Sequence, residues 1–243
     1  MPKNKPPSIQ KEMARLGLKV QEFLVVLLIM MALLYFQAKY FPWKEPNSGI
    51  DASPTPSGVI SFQDGDIIFH QATGELPEVI SGVTGSPINH CGMIILQGEQ
   101  VMVIEASIIV EMTPVDEWIR RGNNQHFALL RSRKIPGDKF PLIVDEAKKF
   151  LGLPYDFQYE LSDEKIYCSE LIYKAYQRGA GVKTGKIQRL GDLDYKGHEE
   201  FIERLVEGLV PLERELITPM SIYMDPKLSV IYDDFNLRKV EDK

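Results

Sequence analysis

Apolar residues are distributed along this chain in three distinct ways. Phe23 to Phe36, "FLVVLLIMMALLYF", is unbroken by any polar residue. Between residues 59 and 135 the apolar runs are short and separated by turn residues, the pattern of strands. Beyond Pro141 they recur at helical spacing.

As a helix, the fourteen residues of the first run span only about 21 Å, short of a hydrocarbon core of roughly 30 Å. Extension to residues 20–43 closes the gap if Lys39 snorkels and Gln21, Glu22 and Gln37 lie near the interfaces. Tyr35, Tyr40 and Trp43 suit the outer interface belt. Lys3, Lys5, Lys11, Arg15 and Lys19 precede the run, so the positive-inside rule puts the N-terminus in the cytoplasm. A cleavable signal peptide is the rival, but "YFQAKYFPW" offers no small-x-small cleavage site. The expectation is a basic tail over 1–19 and an uncleaved anchor over 20–43. A linker follows over 44–58, "KEPNSGIDASPTPSG", rich in Pro, Ser and Gly.

The folded domain is expected over 59–235, with a tail over 236–243. "QDGDIIFH" reads as a turn and a strand at Ile67–His70, and "LPEVISGVTGSPI" as a short helix and loop. "HCGMIILQGEQVMVIEAS" reads as a hairpin turning at Gln97–Gln100. Thr113 and Pro114 look like the N-cap and first position of a short helix ending near Arg121. "HFALLRSR" is another strand, and a helix runs from Pro141 towards Gly152. In "KIYCSELIYKAY", Leu171, Ile172, Ala175 and Tyr176 share one face of a helix that starts at Cys168 and stops at Gly179 or Gly181. "EEFIERLVEGLV" is amphipathic, and "SVIYD" offers a last strand. Antiparallel strands with segregated helices, without βαβ alternation, make the fold class α+β.

Charge narrows the function. The first 22 residues carry five bases against Glu12 and Glu22, so a chain total of −6 leaves −9 on the rest. An acidic domain argues against nucleic acid as a partner and against adhesion to an anionic membrane. Two cysteines, Cys91 and Cys168, exclude a disulfide framework and a Cys-rich zinc site, though they could pair with each other. Four histidines make a His-rich metal site improbable, and no cofactor is called for. "GAGVKTGK" fails as a phosphate loop, because Ala180 stands where glycine is needed and Ile187 where Ser or Thr is needed.

What remains is a constellation. A cysteine at a helix N-terminus has its thiolate favoured by the helix dipole, and the alternative is a small buried hydrophobe. His90 heads a strand, and pairing about Gln97–Gln100 brings Glu105 roughly opposite it, where a carboxylate would fix the imidazole's tautomer. His126 is a rival base with neighbours suited to ordinary packing. Cys91 is a rival nucleophile, but it adjoins His90 on the strand, so its side chain points to the other face and into the core.

"GDIIF", "NHCGMII", "VIEA" and "YCSELIYKAY" together resemble the permuted NlpC-type papain-like cysteine hydrolases, in particular the YiiX/YaeF group of bacterial amidase-like proteins. The resemblance covers about residues 60–235. It implies a circularly permuted papain-like core with an antiparallel sheet packed on helices, in which the histidine precedes the cysteine. It also implies Cys168 as nucleophile, His90 as base and Glu105 as third member, with Tyr167 a candidate substrate-binding residue. The expected protein is a membrane-anchored amidase or peptidase facing the bacterial periplasm or exterior, with wall peptides as a plausible substrate class. Two alternatives are a lipid thioesterase or acyltransferase, as in the related lecithin retinol acyltransferase family, and a non-enzymatic tethered binding module.

Overall fold

The computed structural model describes residues 60–238. The expected basic tail, anchor and linker, and the end of the C-terminal tail, lie outside the described residues. Among the described residues no helix is long and apolar enough to cross a membrane.

A run such as Ile67–His70, apolar on both alternating faces, needs cover above and below. It forms β1, fully buried, with β2 (His90–Gln97) on one side and β5 (Phe127–Ser132) on the other. β3 (Gln100–Ala106) and β4 (Val110–Pro114) extend the sheet past β2, and β8 (Leu228–Asp233) extends it past β5. The order is β4-β3-β2-β1-β5-β8, antiparallel throughout. The β2–β3 hairpin turns at Gly98 and Glu99, where Gly98 takes φ 62°, a left-handed value that glycine adopts without penalty.

Side-chain alternation divides the sheet between two layers. Ile68, Ile94, Val103 and Leu129 pack against Val115, Trp118 and Ile119 of helix α2 (Val115–Arg121). The opposite face meets α4 (Cys168–Ala180), which in turn packs on α3 (Phe140–Lys148). Both glycines near the end of α4 matter, in different ways. Gly181 ends the helix at φ 70°. Gly179 lets α3 approach, since a Cβ there would lie 2.6 Å from the Ile143 backbone.

The expected single apolar face of α4 understates its burial. Every residue from Cys168 to Tyr176 is buried, because the loop from Pro154 to Ile166 covers the side away from the sheet. The two charged residues there are paired. Lys174 reaches Glu170 at 2.7 Å and Asp163 at 2.8 Å, and it also donates to the Ser162 carbonyl.

Thr113 and Pro114 do not open a helix as expected. They close β4, and α2 begins at Val115. The Thr113 hydroxyl donates to Glu105 and accepts from Arg121, and Pro114 holds the N-cap position. Helix α1 (Glu75–Thr84) and helix α5 (Glu199–Val206) stand near the start of α4, together with the short β6–β7 pair (Gln188–Arg189, Glu215–Leu216) and α6 (Pro219–Tyr223).

Candidate active site

A buried carboxylate must be matched by donors, and Glu105, 1% exposed, has four. Its Oε2 lies 2.7 Å from His90 Nε2 and accepts from Trp118 Nε1 at 2.9 Å. Its Oε1 accepts from the Thr113 hydroxyl at 2.7 Å and from the Arg121 guanidinium. Burial alone would raise its pKa. The hydrogen bond and charge of His90, with Arg121 and Thr113, outweigh that and hold the carboxyl at about 2.

Register makes this contact possible. The pairing Met93↔Ile104 sets Glu105 across from Gly92 and therefore diagonal to His90, two residues from directly opposite and on the same face. Gly92 clears the diagonal, since a Cβ there would stand 2.4 Å from Val103 Cγ1 and 3.5 Å from Glu105 Cβ. The glycine thus does its work through missing volume.

Cys168 also acts on the His90 ring. Burial would lower its pKa, but the bonds and charges of Cys168 and Glu105 raise it to about 9, so the ring is held as imidazolium. His70 sits directly across from His90 in the sheet, with ring centroids 5.2 Å apart, and stacks on Trp118 at 3.8 Å. Burial, and then the His90 charge, push the His70 pKa well down, so this second ring is neutral.

Cys168 is the first residue of α4, where the helix dipole favours an anion. Three groups lower its pKa: the Cys91 thiol, the His90 ring and the Cys91 backbone N–H. The Cys91 thiol acts most strongly, burial opposes it, His90 adds to it, and the net result is a thiol pKa well below the usual range. For Cys91 itself the sign is reversed: burial, then the charge on Cys168, push its thiol well up. Both cysteines are free thiols. The expectation that Cys91 simply fills core space is therefore incomplete. Strand alternation does turn it away from His90, but its backbone N–H also acts on the Cys168 thiol.

The structure brings His90 and Glu105 together, sets Cys168 at the helix start beside them, and leaves His126 apart. His126 has a half-exposed side chain 3.5 Å from Asp234. Tyr167, the N-cap residue of α4, is fully buried, and its hydroxyl accepts from the Ile217 N–H at 3.0 Å. It does not line the open space beside Cys168. That space is a cleft between α1 and α5, walled chiefly by apolar side chains, with Tyr159 and Ser169 near the sulfur. Tyr159 holds a left-handed backbone at φ 54°, uncommon for a bulky residue, and its hydroxyl pairs with that of Tyr155 at 3.1 Å.

Trp118, Arg121, Thr113 and Gly92 go unnoticed when the sequence is read alone. The one signal pointing to them is the carboxylate in "VIEAS", which as a buried group demands donors from elsewhere in the chain.

Comparison with known proteins gives one consistent result. The family model described as "Permuted papain-like amidase enzyme, YaeF/YiiX, C92 family" matches residues 61–232. YiiX of Escherichia coli (strain K12) is 29% identical over 182 residues, covering 72% of this chain and 88% of that protein. A crystal structure of YiiX from Escherichia coli O157:H7 superposes with a TM-score of 0.68 at 28% identity, over 71% of this chain and 97% of that one. Its title calls that protein a metalloprotein. Among the described residues here, no group of three or more His, Cys, Asp and Glu side chains is arranged to hold a metal ion.

Proposed function

The chain belongs to the permuted papain-like amidase family and is a cysteine hydrolase, and we propose that it cleaves amide bonds through Cys168, His90 and Glu105. The observation that carries this reading is the line of Glu105 and the His90 ring, 2.7 Å apart, with Cys168 at the α4 N-terminus, where ring and thiol shift each other's pKa in opposite directions. Thiolate and imidazolium are the ground state of that line, as thiol hydrolysis requires.

The Cys168 thiolate attacks the carbonyl carbon, forming the S–C bond. The His90 proton goes to the leaving nitrogen as the C–N bond breaks. Water then attacks the thioester, gives a proton to His90, and releases the carboxylic acid and the thiolate. The Cys168 backbone N–H, unpaired by any earlier turn of α4, is placed to hold the oxyanion. Glu105 fixes the ring and its charge without taking part in bond making.

The test is thiol chemistry. At pH 6, iodoacetamide should alkylate Cys168 much faster than Cys91, and His90→Ala should remove most of the difference. Equal, slow labelling of both thiols would sink the assignment. The apolar segment over 20–43 with its preceding bases supports a single-pass anchor in the bacterial inner membrane, catalytic domain outside the cytoplasm. Carbonate washing should then leave the intact chain in the membrane pellet, whereas release of a chain shortened near Ala38 would mean a cleaved signal. Wall peptides and lipid acyl groups both remain open as substrate classes on the triad's geometry alone.

A further inference from the structure

His70 lies beside the reactive histidine and takes no part in bond making. It ends β1 directly across from His90, so both side chains leave the same face of the sheet. The backbone around the two residues is clasped. The Ala72 N–H donates to Asn89 Oδ1 at 2.7 Å, and Asn89 Nδ2 donates back to the Ala72 carbonyl at 3.1 Å. The Asn123 N–H donates to the Gln71 carbonyl at 2.8 Å. Between these ties His70 is buried, its ring flat on the Trp118 indole with 3.8 Å between centroids and 15° between planes. Gly122 makes the room for it, since a Cβ there would stand 3.0 Å from His70 Nδ1. That buried nitrogen has no hydrogen-bond partner among the described residues. A polar atom left unpaired in the interior costs stability and calls for a reason.

We propose that His70 is a positioning residue for the hydrolytic reaction: its ring, packed flat on Trp118, is the wall against which the His90 ring settles with its second nitrogen turned to Cys168. The inference rests on the Cys168–His90–Glu105 reading. Glu105 Oε2 holds His90 Nε2 at 2.7 Å, so Nδ1 is the nitrogen left for the sulfur. One hydrogen bond fixes where Nε2 lies and leaves the ring plane free to turn about it, and a small misplacement of a catalytic group is expensive in rate. Trp118 is pinned to the same carboxylate oxygen at 2.9 Å, but its centroid is 5.9 Å from that of His90. His70 stands nearer, at 5.2 Å with 32° between planes, and is itself backed by the indole. The wall has to be uncharged. The charged groups around it are His90, Glu105 and Arg121, and a second cation would compete with His90 for the carboxylate. Burial and then the His90 charge keep the His70 ring neutral. A flat neutral ring is thus what the place requires, and the unpaired nitrogen is tolerated for its sake.

The experiment uses the full-length chain with isotopically labelled histidine, the His90 ring signal being the one that His90→Ala removes. In the parent that ring should titrate near 9. In His70→Ala the ring loses its wall and part of its contact with the thiolate, so its titration should fall by about one unit, a tenfold change in proton affinity. Alkylation of Cys168 by iodoacetamide at pH 6 should slow by about threefold or more. His70→Phe restores a neutral flat ring and should return both readings to within about twofold of the parent. A merely structural role would lower stability in urea and leave the His90 titration and the labelling rate of the folded protein unmoved. Should His70→Ala fold poorly, Gly122→Ala crowds the ring from the other side without removing it, and a smaller fall in the His90 titration is expected. Unchanged readings in the variant used, or a His70→Phe as impaired as His70→Ala, overturn the proposal. The parent separates the two levels: slow labelling of its Cys168 at pH 6 removes the triad and His70 together, while rapid labelling in parent and His70→Ala alike removes His70 and leaves the triad.

Discussion

Two surfaces meet at the sulfur of Cys168, and they are built on opposite principles. On one side, Glu105 accepts from His90, Thr113, Trp118 and Arg121, and every bond is directional. On the other, α1 and α5 face each other chiefly through apolar side chains, with one ion pair, Arg204 to Glu75, between them. Charge separation in a buried site demands the first arrangement, because an ion without partners there is strongly penalised. Apolar contact, which dominates the second, is graded with area. The polar side should therefore fail abruptly when one member is removed, and the apolar side should fail by degrees.

Glu105→Gln is the sharpest way to break that contrast. It keeps the volume but leaves the imidazolium and Arg121 without an anion. Breaking a buried pair in this way destabilises by roughly 3–5 kcal/mol. The expected result in urea denaturation is a fall of that order, accompanied by loss of rapid alkylation at pH 6. A variant within about 1 kcal/mol of the parent would mean that the four-donor cluster is dispensable. Leu76→Ala, on the apolar side, should cost less. Deleting a buried leucine side chain costs about 2–5 kcal/mol where packing is complete, and Leu76 lines a space that already lacks neighbours on one side, so about 2 kcal/mol is expected. Its alkylation rate at Cys168 should change less than twofold. A loss of thiol reactivity as large as that of Glu105→Gln would show that the two surfaces are coupled and that their separation here is drawn wrongly.

The contrast also explains what could be read in the sequence. Strand and helix periods are local, so β1, β2, β5 and α4 are visible as patterns, and so are the first residues of β2 and α4, His90 and Cys168. The hairpin carries Glu105 to within two residues of the expected place and onto the correct face, because a short turn leaves few alternatives. The clamp on Glu105 is different in kind. Thr113 carries a strong local signal for capping a helix, and a tertiary contact claims its hydroxyl instead. Trp118 and Arg121 lie on a helix whose period says only that one face is apolar. The cleft is less legible still. The amphipathic pattern of Glu199–Val206 is visible, but a pattern cannot tell a filled interface from one held open for a substrate. Gly92 likewise reads as a weak strand residue until the side chain it makes room for is known.

Thr113→Val gives the smallest effect and the most specific one. It removes one of the four donors to Glu105 and leaves three, so the loss at neutral pH should be about 1 kcal/mol. Its dependence on pH identifies the source. The folded-state pKa of Glu105 lies near 2, below the ordinary 4.5, so its stabilisation is complete above pH 4.5 and is lost as pH falls through about 2. His90 runs the other way. Its pKa, raised from 6.5 to about 9, gives stabilisation that is complete below pH 6.5 and disappears as pH rises through 9. The parent and Thr113→Val should therefore differ by a constant amount between about pH 4.5 and 6.5, and their stability curves should converge towards pH 2. Leu76→Ala should run parallel to the parent over the same range, since it removes no donor to Glu105. A Thr113→Val deficit that persists unchanged at pH 2 would assign the loss to packing of β4 and take Glu105 out of the explanation.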